Sequence, residues 1–78
     1  MVDPPIKARL DARGLVCPLP VLKANEVLST LQPGERLEVL ADDPVALLDF
    51  EAFSFRSGHP LRERSADSGT FRFVLEHK

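Results

Sequence analysis

The chain has only one cysteine among its 78 residues, Cys17. A single cysteine cannot form an internal disulfide, and it excludes a mechanism based on a Cys-x-x-Cys dithiol. Small secreted domains usually carry several cysteines, so this count favours a reducing compartment. Any thiol chemistry of the chain must therefore take place at Cys17.

The sequence also has no long hydrophobic run and no recognisable leader. No apolar stretch approaches the roughly 18 residues of a membrane span. Residues 1–7 have neither the basic start nor the apolar stretch of a secretory signal peptide. We therefore expect a cytoplasmic protein that makes no contact with membranes.

Charge of one sign is not in strong excess, because 10 Lys and Arg residues oppose 12 Asp and Glu residues. The net charge of -2 argues against a general attraction to nucleic acid, so we expect no direct nucleic-acid partner. The hydrophobic fraction of 44% makes the chain too apolar for intrinsic disorder.

The length allows one domain over residues 1–78, in which only residues 1–5 are expected to be loose. A domain this small buries roughly 60% of the surface of its unfolded chain, which leaves little space for a deep pocket. We therefore expect the chemistry of the protein to lie near its surface.

The first half of the sequence predicts a strand and a helix. Ile6, Ala8 and Leu10 alternate with charged residues, which is the period of a half-buried strand. Apolar residues then recur at helical spacing over about Pro18–Leu31, and a Pro-Gly pair stops the helix.

The second half predicts a strand, a second helix and a hairpin. Alternation resumes over residues 37–41, and Asp43-Pro44 then supplies a side-chain cap and a proline at the first helical position. The second helix is expected over Pro44–Arg56 and is ended by Gly58. Two extended runs, 61–66 and 70–76, are joined by a turn at residues 67–69.

The apolar spacing of the second helix predicts an inner stripe. Its members are Val45, Leu48, Ala52 and Phe55. Phe50 and Phe53 are expected to extend the apolar surface round one flank. A helix with this much apolar surface is expected to pack heavily or to meet a partner.

The predicted order of elements is therefore β-α-β-α-β-β. The apolar faces of the strands and helices are buried best if two helices lie on one face of a four-stranded mixed sheet. We predict an α+β fold, specifically a two-layer α/β sandwich.

Most basic residues are expected on the sheet face opposite the helices. They are Lys7, Arg9, Arg36, Arg62, Arg64 and Arg72. Because Asp11, Glu38 and Glu76 share that face, cross-strand ion pairing is favoured over docking of RNA or a partner. Phe71 and Phe73 alternate inward, which leaves no stacking platform for RNA.

The most informative stretch is Arg13–Pro20, which reads Arg-Gly-Leu-Val-Cys-Pro-Leu-Pro between the first strand and the first helix. If Pro18 is the first helical residue, Cys17 is the N-cap, and its sulfur lies beside the N–H groups of Leu19 and Val21. The helix N-terminus is electropositive and favours a thiolate. We therefore expect the pKa of Cys17 to lie below that of a free cysteine.

Neighbouring residues are expected to shape this loop and to support the thiolate. Pro18 and Pro20 stiffen the turn, and Gly14 allows a tight approach of the chain. Arg13 and Lys23 are expected to add positive charge near the sulfur.

Three apolar residues around Cys17 are candidates for partner docking. Leu15 and Val16 lie in the preceding loop, and Leu19 falls in line with polar residues on the solvent side of the helix. Such an apolar collar would exclude water around the thiol while a partner is docked. The alternative is that Leu15 or Val16 simply closes the core beneath the loop.

No other set of residues predicts a metal or a cofactor, and neither is expected. Cys17, His59 and His77 are too scattered for a metal site, and the acidic residues near the second helix are better explained by capping and solvation. No general base stands out.

Cys17 could also be an inert buried residue, but a cysteine between a glycine loop and a Pro-x-Pro turn should be partly exposed.

At these residues the sequence resembles the TusA/SirA-like family of sulfur carriers. The family signature is a strand ending in Leu-Asp, a Gly-x-x-Cys-Pro-x-Pro turn and a helix. It is matched by Leu10, Asp11, Gly14, Cys17, Pro18 and Pro20. The likeness continues through Lys23, residues 33–34, residues 41–44, Asp49, Phe53 and residues 58–59, so it covers nearly the whole chain.

The resemblance implies a sulfurtransferase that acts as a persulfide relay, with Cys17 as its catalytic residue. Cys17 would accept sulfur from a cysteine desulfurase or a rhodanese-type donor. It would hand that sulfur to an acceptor protein in tRNA thiolation, cofactor biosynthesis or sulfur metabolism. Some members have a second cysteine on the second helix where this chain has Ser54, so a second thiol has no part in the mechanism.

Two alternatives remain open at this point. The first is a non-catalytic regulatory or protein-interaction module on the same fold, in which Cys17 merely packs. The second is an RNA-binding module, which would require steeply salt-dependent binding through the sheet face.

Overall fold

The structure is a computed structural model that describes residues 4–78. Pro4 and Pro5 are exposed and precede the first strand. The expectation of a loose segment over residues 1–5 falls mainly on residues 1–3, which lie outside the described residues.

Six elements follow one another in the predicted order. They are β1 (Ile6–Asp11), α1 (Leu19–Leu28), β2 (Arg36–Ala41), α2 (Ala46–Ser57), β3 (Leu61–Asp67) and β4 (Thr70–Glu76). The strands form one sheet in the order β1-β2-β4-β3. Strands β1 and β2 are parallel, whereas β4 is antiparallel to both of its neighbours. The mixed sheet and the α+β sandwich are therefore as predicted.

Both helices pack against one face of the sheet and share a single core. The stacked rings of Phe50 and Phe73 lie at its centre, with centroids 4.7 Å apart. Buried residues from both helices and from strands β2 and β4 surround them, namely Ala24, Leu28, Leu37, Val39, Ala41, Ala46 and Leu75. A buried phenylalanine of this kind contributes about 3–5 kcal/mol to stability relative to alanine.

The predicted inner stripe of α2 is wrong for three of its four members, because Val45, Leu48 and Phe55 are exposed and only Ala52 is half-buried. Leu48 is 71% exposed and Phe55 is 90% exposed, whereas Ala46 and Phe50 are buried and Phe53 is half-buried. The residues that do face the core lie at positions i, i+4 and i+7 of the helix. Apolar residues occur on two faces of α2, so their spacing fits two stripes. Packing against the sheet selects the stripe that contains Phe50.

The helix ends differ slightly from the expected ones. Pro18 has φ -98° and ψ 14° and is the N-cap of α1, which ends at Leu28 and not at Leu31. Helix α2 begins at Ala46 and not at Pro44, and Asp43 accepts the N–H of Val45 in the turn before the helix. Gly58 closes α2 in the left-handed conformation, as predicted.

The outer face of the sheet is a network of ion pairs, as predicted. Glu38 lies between Arg9 at 3.3 Å and Arg72 at 2.7 Å. Glu76 pairs with Arg36 and with Arg62, each at 3.1 Å. The basic residues of this face are thus largely neutralised by cross-strand partners.

Arg64 does not belong to this outer face. The pairing of β3 with β4 shifts register between Leu61 and Glu63, so Arg64 lies opposite Phe73 and on the helix side of the sheet. It lines a groove there with Glu51 and Phe55. One extra residue in a strand moves every later side chain to the opposite face of the sheet. The alternation of charged residues in the sequence did not reveal this shift.

Candidate functional site

Cys17 is exposed in the turn that joins β1 to α1, and its peptide bond to Pro18 is cis. Two carboxylates that follow β2 hold this turn. Asp42 Oδ1 accepts the N–H of Gly14 at 2.9 Å, and Asp43 Oδ2 accepts the N–H of Cys17 at 2.7 Å. Because β1 and β2 are parallel neighbours, the loops that leave them emerge at the same edge of the sheet.

The two carboxylates were expected only to cap α2 and face solvent, so their hold on the cysteine turn is a finding of the structure. Asp43 also accepts the N–H of Val45 through Oδ1 at 3.1 Å. One side chain therefore ties the cysteine turn to the turn that begins α2.

Arg13 is engaged elsewhere and does not support the thiol. Its Nε and Nη2 atoms donate to the two carboxylate oxygens of Asp11 at 2.9 and 2.8 Å. These hydrogen bonds hold the pKa of Asp11 at about 2. The expected electrostatic role of Arg13 is therefore corrected: it closes its own turn with Asp11.

The pKa of Cys17 is raised, and the expectation of a lowered value is wrong. The largest cause is the carboxylate of Asp49, which favours the protonated thiol. Burial and the negative charges of Asp49 and Asp43 act in the same direction. Asp49 lies in the first turn of α2 and reaches the thiol across the gap between the helices.

The position of the helix start explains why the expected donors are missing. Cys17 precedes the N-cap Pro18 and is not itself the N-cap. The N–H of Leu19 donates to the carbonyl oxygen of Val16 at 2.9 Å and is therefore engaged away from the thiol. Lys23 is exposed on α1 and is not among the groups that shift the pKa of Cys17.

The residues expected to shape the loop have distinct places. Pro20 is buried in the first turn of α1, whereas Pro18 is exposed beside Cys17. Gly14 has φ +82°, and a Cβ added there would meet nothing within 4 Å. Gly14 is thus required for its left-handed backbone and not for the close approach that was expected.

The apolar collar is only partly as expected. Val16 is 65% exposed and Leu19 is 42% exposed, whereas Leu15 packs against the core. Leu15 therefore closes the core beneath the loop, which was the stated alternative. Leu22, one turn after Leu19, is also exposed and was missed because its apolar character fits a core stripe equally well.

A cleft of about 470 Å³ separates α1 from α2, with Cys17 at one end. Its walls are mainly apolar and include Val21, Ala52 and Phe53. Its far end is lined by Asn25, Arg56 and Ser57, none of which the sequence indicated as site residues. Such a cleft was not expected in a domain of this size.

His59 and His77 come together at the C-terminal end of β4, with ring centroids 4.9 Å apart. Burial, followed by the charges of His77 and Lys78, lowers the pKa of His59. Among residues 4–78 no group of histidine, cysteine and acidic side chains is arranged to hold a metal ion. Over the same range, neither helix has the length and apolarity needed to cross a membrane.

Known proteins are similar in sequence to this chain over most of its length. A family profile described as "Sulfurtransferase TusA" matches residues 8–77. The sulfur carrier protein TusA of Allochromatium vinosum is 42% identical over 67 residues, which span 86% of this chain and 88% of that protein. A Neisseria meningitidis serogroup A protein, named only provisionally as a sulfur carrier, is 48% identical over 69 residues, covering 88% and 93% of the two chains.

The fold is also that of a solved relative. The crystal structure of a SirA-like protein from Desulfitobacterium hafniense superposes with a TM-score of 0.78 at 27% identity. The match covers 88% of this chain and 95% of that one. Sequence and fold agree over nearly the whole length, and the chain therefore belongs to the TusA family of sulfurtransferases, whose Allochromatium vinosum relative is named a sulfur carrier protein.

Proposed function

We propose that this protein accepts one sulfur atom as a persulfide on Cys17 from a donor protein and relays it to an acceptor protein. The observation that carries the proposal is the exposed thiol at the mouth of a cleft, on a turn held by Asp42 and Asp43. A cysteine retained only for packing would be buried.

Both transfer steps balance without an oxidant. The Cys17 thiolate attacks the outer sulfur of the donor persulfide, a new S–S bond forms, and the donor thiolate leaves with the electron pair of the broken bond. In the second step an acceptor thiolate attacks the outer sulfur on Cys17, and Cys17 leaves as the thiolate.

Asp49 is the proposed proton acceptor for the first step. Its carboxylate lines the cleft with the thiol and raises the pKa of Cys17, so the free carrier holds a protonated and weakly reactive sulfur. Oxidation of cysteine follows thiolate character, so this state protects the thiol between transfers. Attack begins when a docked donor shifts the proton towards Asp49.

Docking is proposed to use the exposed apolar residues beside the thiol, Val16, Leu19 and Leu22. These three residues, in which Leu22 replaces Leu15 of the expected set, are called the collar from here on. Val16 lies in the loop before Cys17, and the two leucines lie at the start of α1. Clustered exposed apolar side chains mark surfaces that meet other proteins. Burying them against a donor would also exclude water from the sulfur.

The proposed partners are a cysteine desulfurase or a rhodanese-type donor and a downstream acceptor in tRNA thiolation, cofactor biosynthesis or sulfur metabolism. These reactions would place the protein in the cytoplasm. Direct binding of RNA has no support, because the basic outer face of the sheet is engaged in ion pairs with Glu38, Glu63 and Glu76.

Replacement of Cys17 by serine separates a sulfur carrier from an interaction module. We expect Cys17→Ser to keep the circular dichroism spectrum and melting temperature of the wild type, because Cys17 is exposed. In cells that depend on this protein, the variant should nevertheless abolish sulfur delivery, measured as thiolated nucleoside or sulfur-containing cofactor. Full complementation by Cys17→Ser would refute the carrier.

A further inference from the structure

The cleft between the helices has chemically different ends. Cys17 and Asp49 lie at the start of the two helices, whereas Asn25 and Arg56 lie at the other end. Asp49 and Arg56 are seven residues apart on α2, which corresponds to about 10 Å along a helix. The cleft is thus long enough for a small peptide-sized molecule to reach from the thiol to Arg56.

Arg56 is the arginine that lines the cleft with Cys17. Within residues 4–78, Arg56 and Arg64 make no ion pair, whereas the five other arginines pair with carboxylates, and Arg64 lines a different groove. A basic residue in the last turn of a helix is favoured by the helix dipole, which accounts for a charge at this position. The dipole does not account for a side chain that lines an apolar cleft ending at a reactive thiol.

The polarity of the cleft fixes the orientation of a ligand. An anionic group is repelled at the Cys17 end by the carboxylates of Asp43 and Asp49 and attracted at the other end by Arg56. The apolar walls of Val21, Ala52 and Phe53 suit an uncharged middle section. A volume of about 470 Å³ is within the range of small-molecule sites.

We propose that this cleft binds a low-molecular-weight thiol that carries a carboxylate, with its sulfur at Cys17 and its carboxylate on Arg56. The inference rests on the proposed function and adds a second route of loading, in which the persulfide of such a thiol delivers sulfur without a donor protein. Asn25 lines the same cleft, and its amide could make further hydrogen bonds to the carboxylate or to a peptide group.

The loading reaction is a simple exchange. The Cys17 thiolate attacks the outer sulfur of the small persulfide, the S–S bond of that persulfide breaks, and the small thiol leaves as its thiolate. The Cys17 proton passes to Asp49 and then to the departing thiolate. No oxidant or reductant is consumed.

Binding is tested first, without any sulfur transfer. Oxygen-stable S-methylglutathione is titrated into Cys17→Ser, and backbone amide shifts are followed by NMR. Saturable shifts at Asn25, Phe53 and Arg56 are expected, with an affinity that falls roughly tenfold in Arg56→Gln on the loss of one charge-assisted contact. If no saturable shifts occur, or if the affinity in Arg56→Gln equals that of the parent protein, the proposed ligand site is wrong. This conclusion holds whether or not the protein is a persulfide relay.

Loading is tested second with two probes that differ in charge. Glutathione persulfide carries carboxylates, and the persulfide of N-acetylcysteamine carries none. The ratio of their rates of Cys17 modification, measured by intact mass, should fall roughly tenfold in Arg56→Gln. Arg64→Gln is the matched control, because Arg64 is exposed and lines a different groove, and its ratio should stay at the wild-type value.

Two results would contradict this reading of the cleft. The rate ratio could be the same in Arg56→Gln as in the wild type, or it could fall equally in Arg64→Gln. Either shows that Arg56 does not recognise the carboxylate. Failure of every donor protein to load Cys17 is a different result. It would contradict the proposed relay function, whereas the binding titration would still test the ligand site in the cleft.

Discussion

The carboxylate of Asp43 joins Cys17 to the start of α2: Oδ2 accepts the N–H of Cys17 at 2.7 Å, and Oδ1 accepts the N–H of Val45 at 3.1 Å. The two partners come from opposite sides of the site. A single side chain thus fixes the distance between the turn that carries the thiol and the helix that carries Asp49. Asp49 is also the largest cause of the raised pKa of Cys17.

Loss of the Asp43 carboxylate should loosen the cysteine turn. We expect Asp43→Ala to lower the free energy of unfolding by about 1 kcal/mol, since two backbone N–H groups lose their acceptor at an exposed site. Hydrogen exchange of the Cys17 amide should become faster by more than the global loss of stability explains. Glu26→Ala, an exposed change on α1, is the control. Unchanged protection of the Cys17 amide in Asp43→Ala would show that this hydrogen bond does not hold the turn.

Neutralising Asp49 should make the thiol more acidic. The Asp49 carboxylate is the largest cause of the raised pKa of Cys17, so Asp49→Asn should lower that pKa. The rate of alkylation by iodoacetamide against pH gives the inflection directly. It should lie above the ordinary cysteine value in the wild type and move down in Asp49→Asn. Glu51→Gln, on an exposed position of the same helix, should leave the inflection in place. An inflection that stays or rises in Asp49→Asn would remove Asp49 from the site.

The collar predicts a separation between protein donors and small donors. Leu19→Ser should leave the melting temperature nearly unchanged, because Leu19 is 42% exposed. It should slow sulfur acceptance from the natural donor protein but not from inorganic polysulfide, which needs no docking surface. Leu48→Ser, an exposed leucine of α2, serves as the control for loss of surface apolarity. Equal slowing of both donors by Leu19→Ser would assign Leu19 to the immediate surroundings of the thiol.

The stability of the protein should fall as the pH drops below neutrality. Burial, with the charges of His77 and Lys78, lowers the pKa of His59 in the folded state below its ordinary value of 6.5. Between the two pKa values, His59 binds more protons in the unfolded chain than in the folded protein. The stability that His59 contributes is therefore fully present above pH 6.5 and is lost as the pH falls through the folded pKa.

Urea unfolding between pH 8 and pH 5 checks this expectation. In the wild type the N–H of Lys78 donates to His59 Nδ1 at 3.2 Å. The side chain of His59→Asn can still accept this hydrogen bond, but it cannot titrate. The free energy of unfolding of this variant should therefore lose most of its pH dependence below pH 6.5. His77→Asn should retain most of it, since burial of His59 is the larger cause. An equal slope in the wild type and His59→Asn would exclude His59 as the responsible group.

Local patterns in the sequence were sufficient for the fold. Alternation in β1, β2 and β4 and the short turn at Ser68-Gly69 specify strands whose order allows few arrangements. Periodicity could not choose between the two apolar faces of α2, because that choice depends on packing against Phe73. It also could not show the register shift in β3 that moves Arg64 to the helix side.

The site was predictable only in part for a similar reason. The motif identified Cys17, but the groups that set its pKa come from elsewhere in the chain, and the nearest of them, Asp43, is 26 residues away. Asp42 and Asp43 directly follow β2, but their place beside the cysteine turn depends on the parallel pairing of β2 with β1, which was not predicted from the sequence. Nothing local to α2 indicated that Asp49 would cross to the thiol.

The central claim is that Cys17 carries sulfur, and intact mass spectrometry tests it most directly. The wild-type protein is incubated with cysteine and a panel of desulfurases, and with thiosulfate and rhodaneses. We predict a gain of the mass of one sulfur atom, located on Cys17, reversed by dithiothreitol and absent in Cys17→Ser. If no donor in the panel adds sulfur, although iodoacetamide shows that the thiol is free, the protein is not a persulfide carrier.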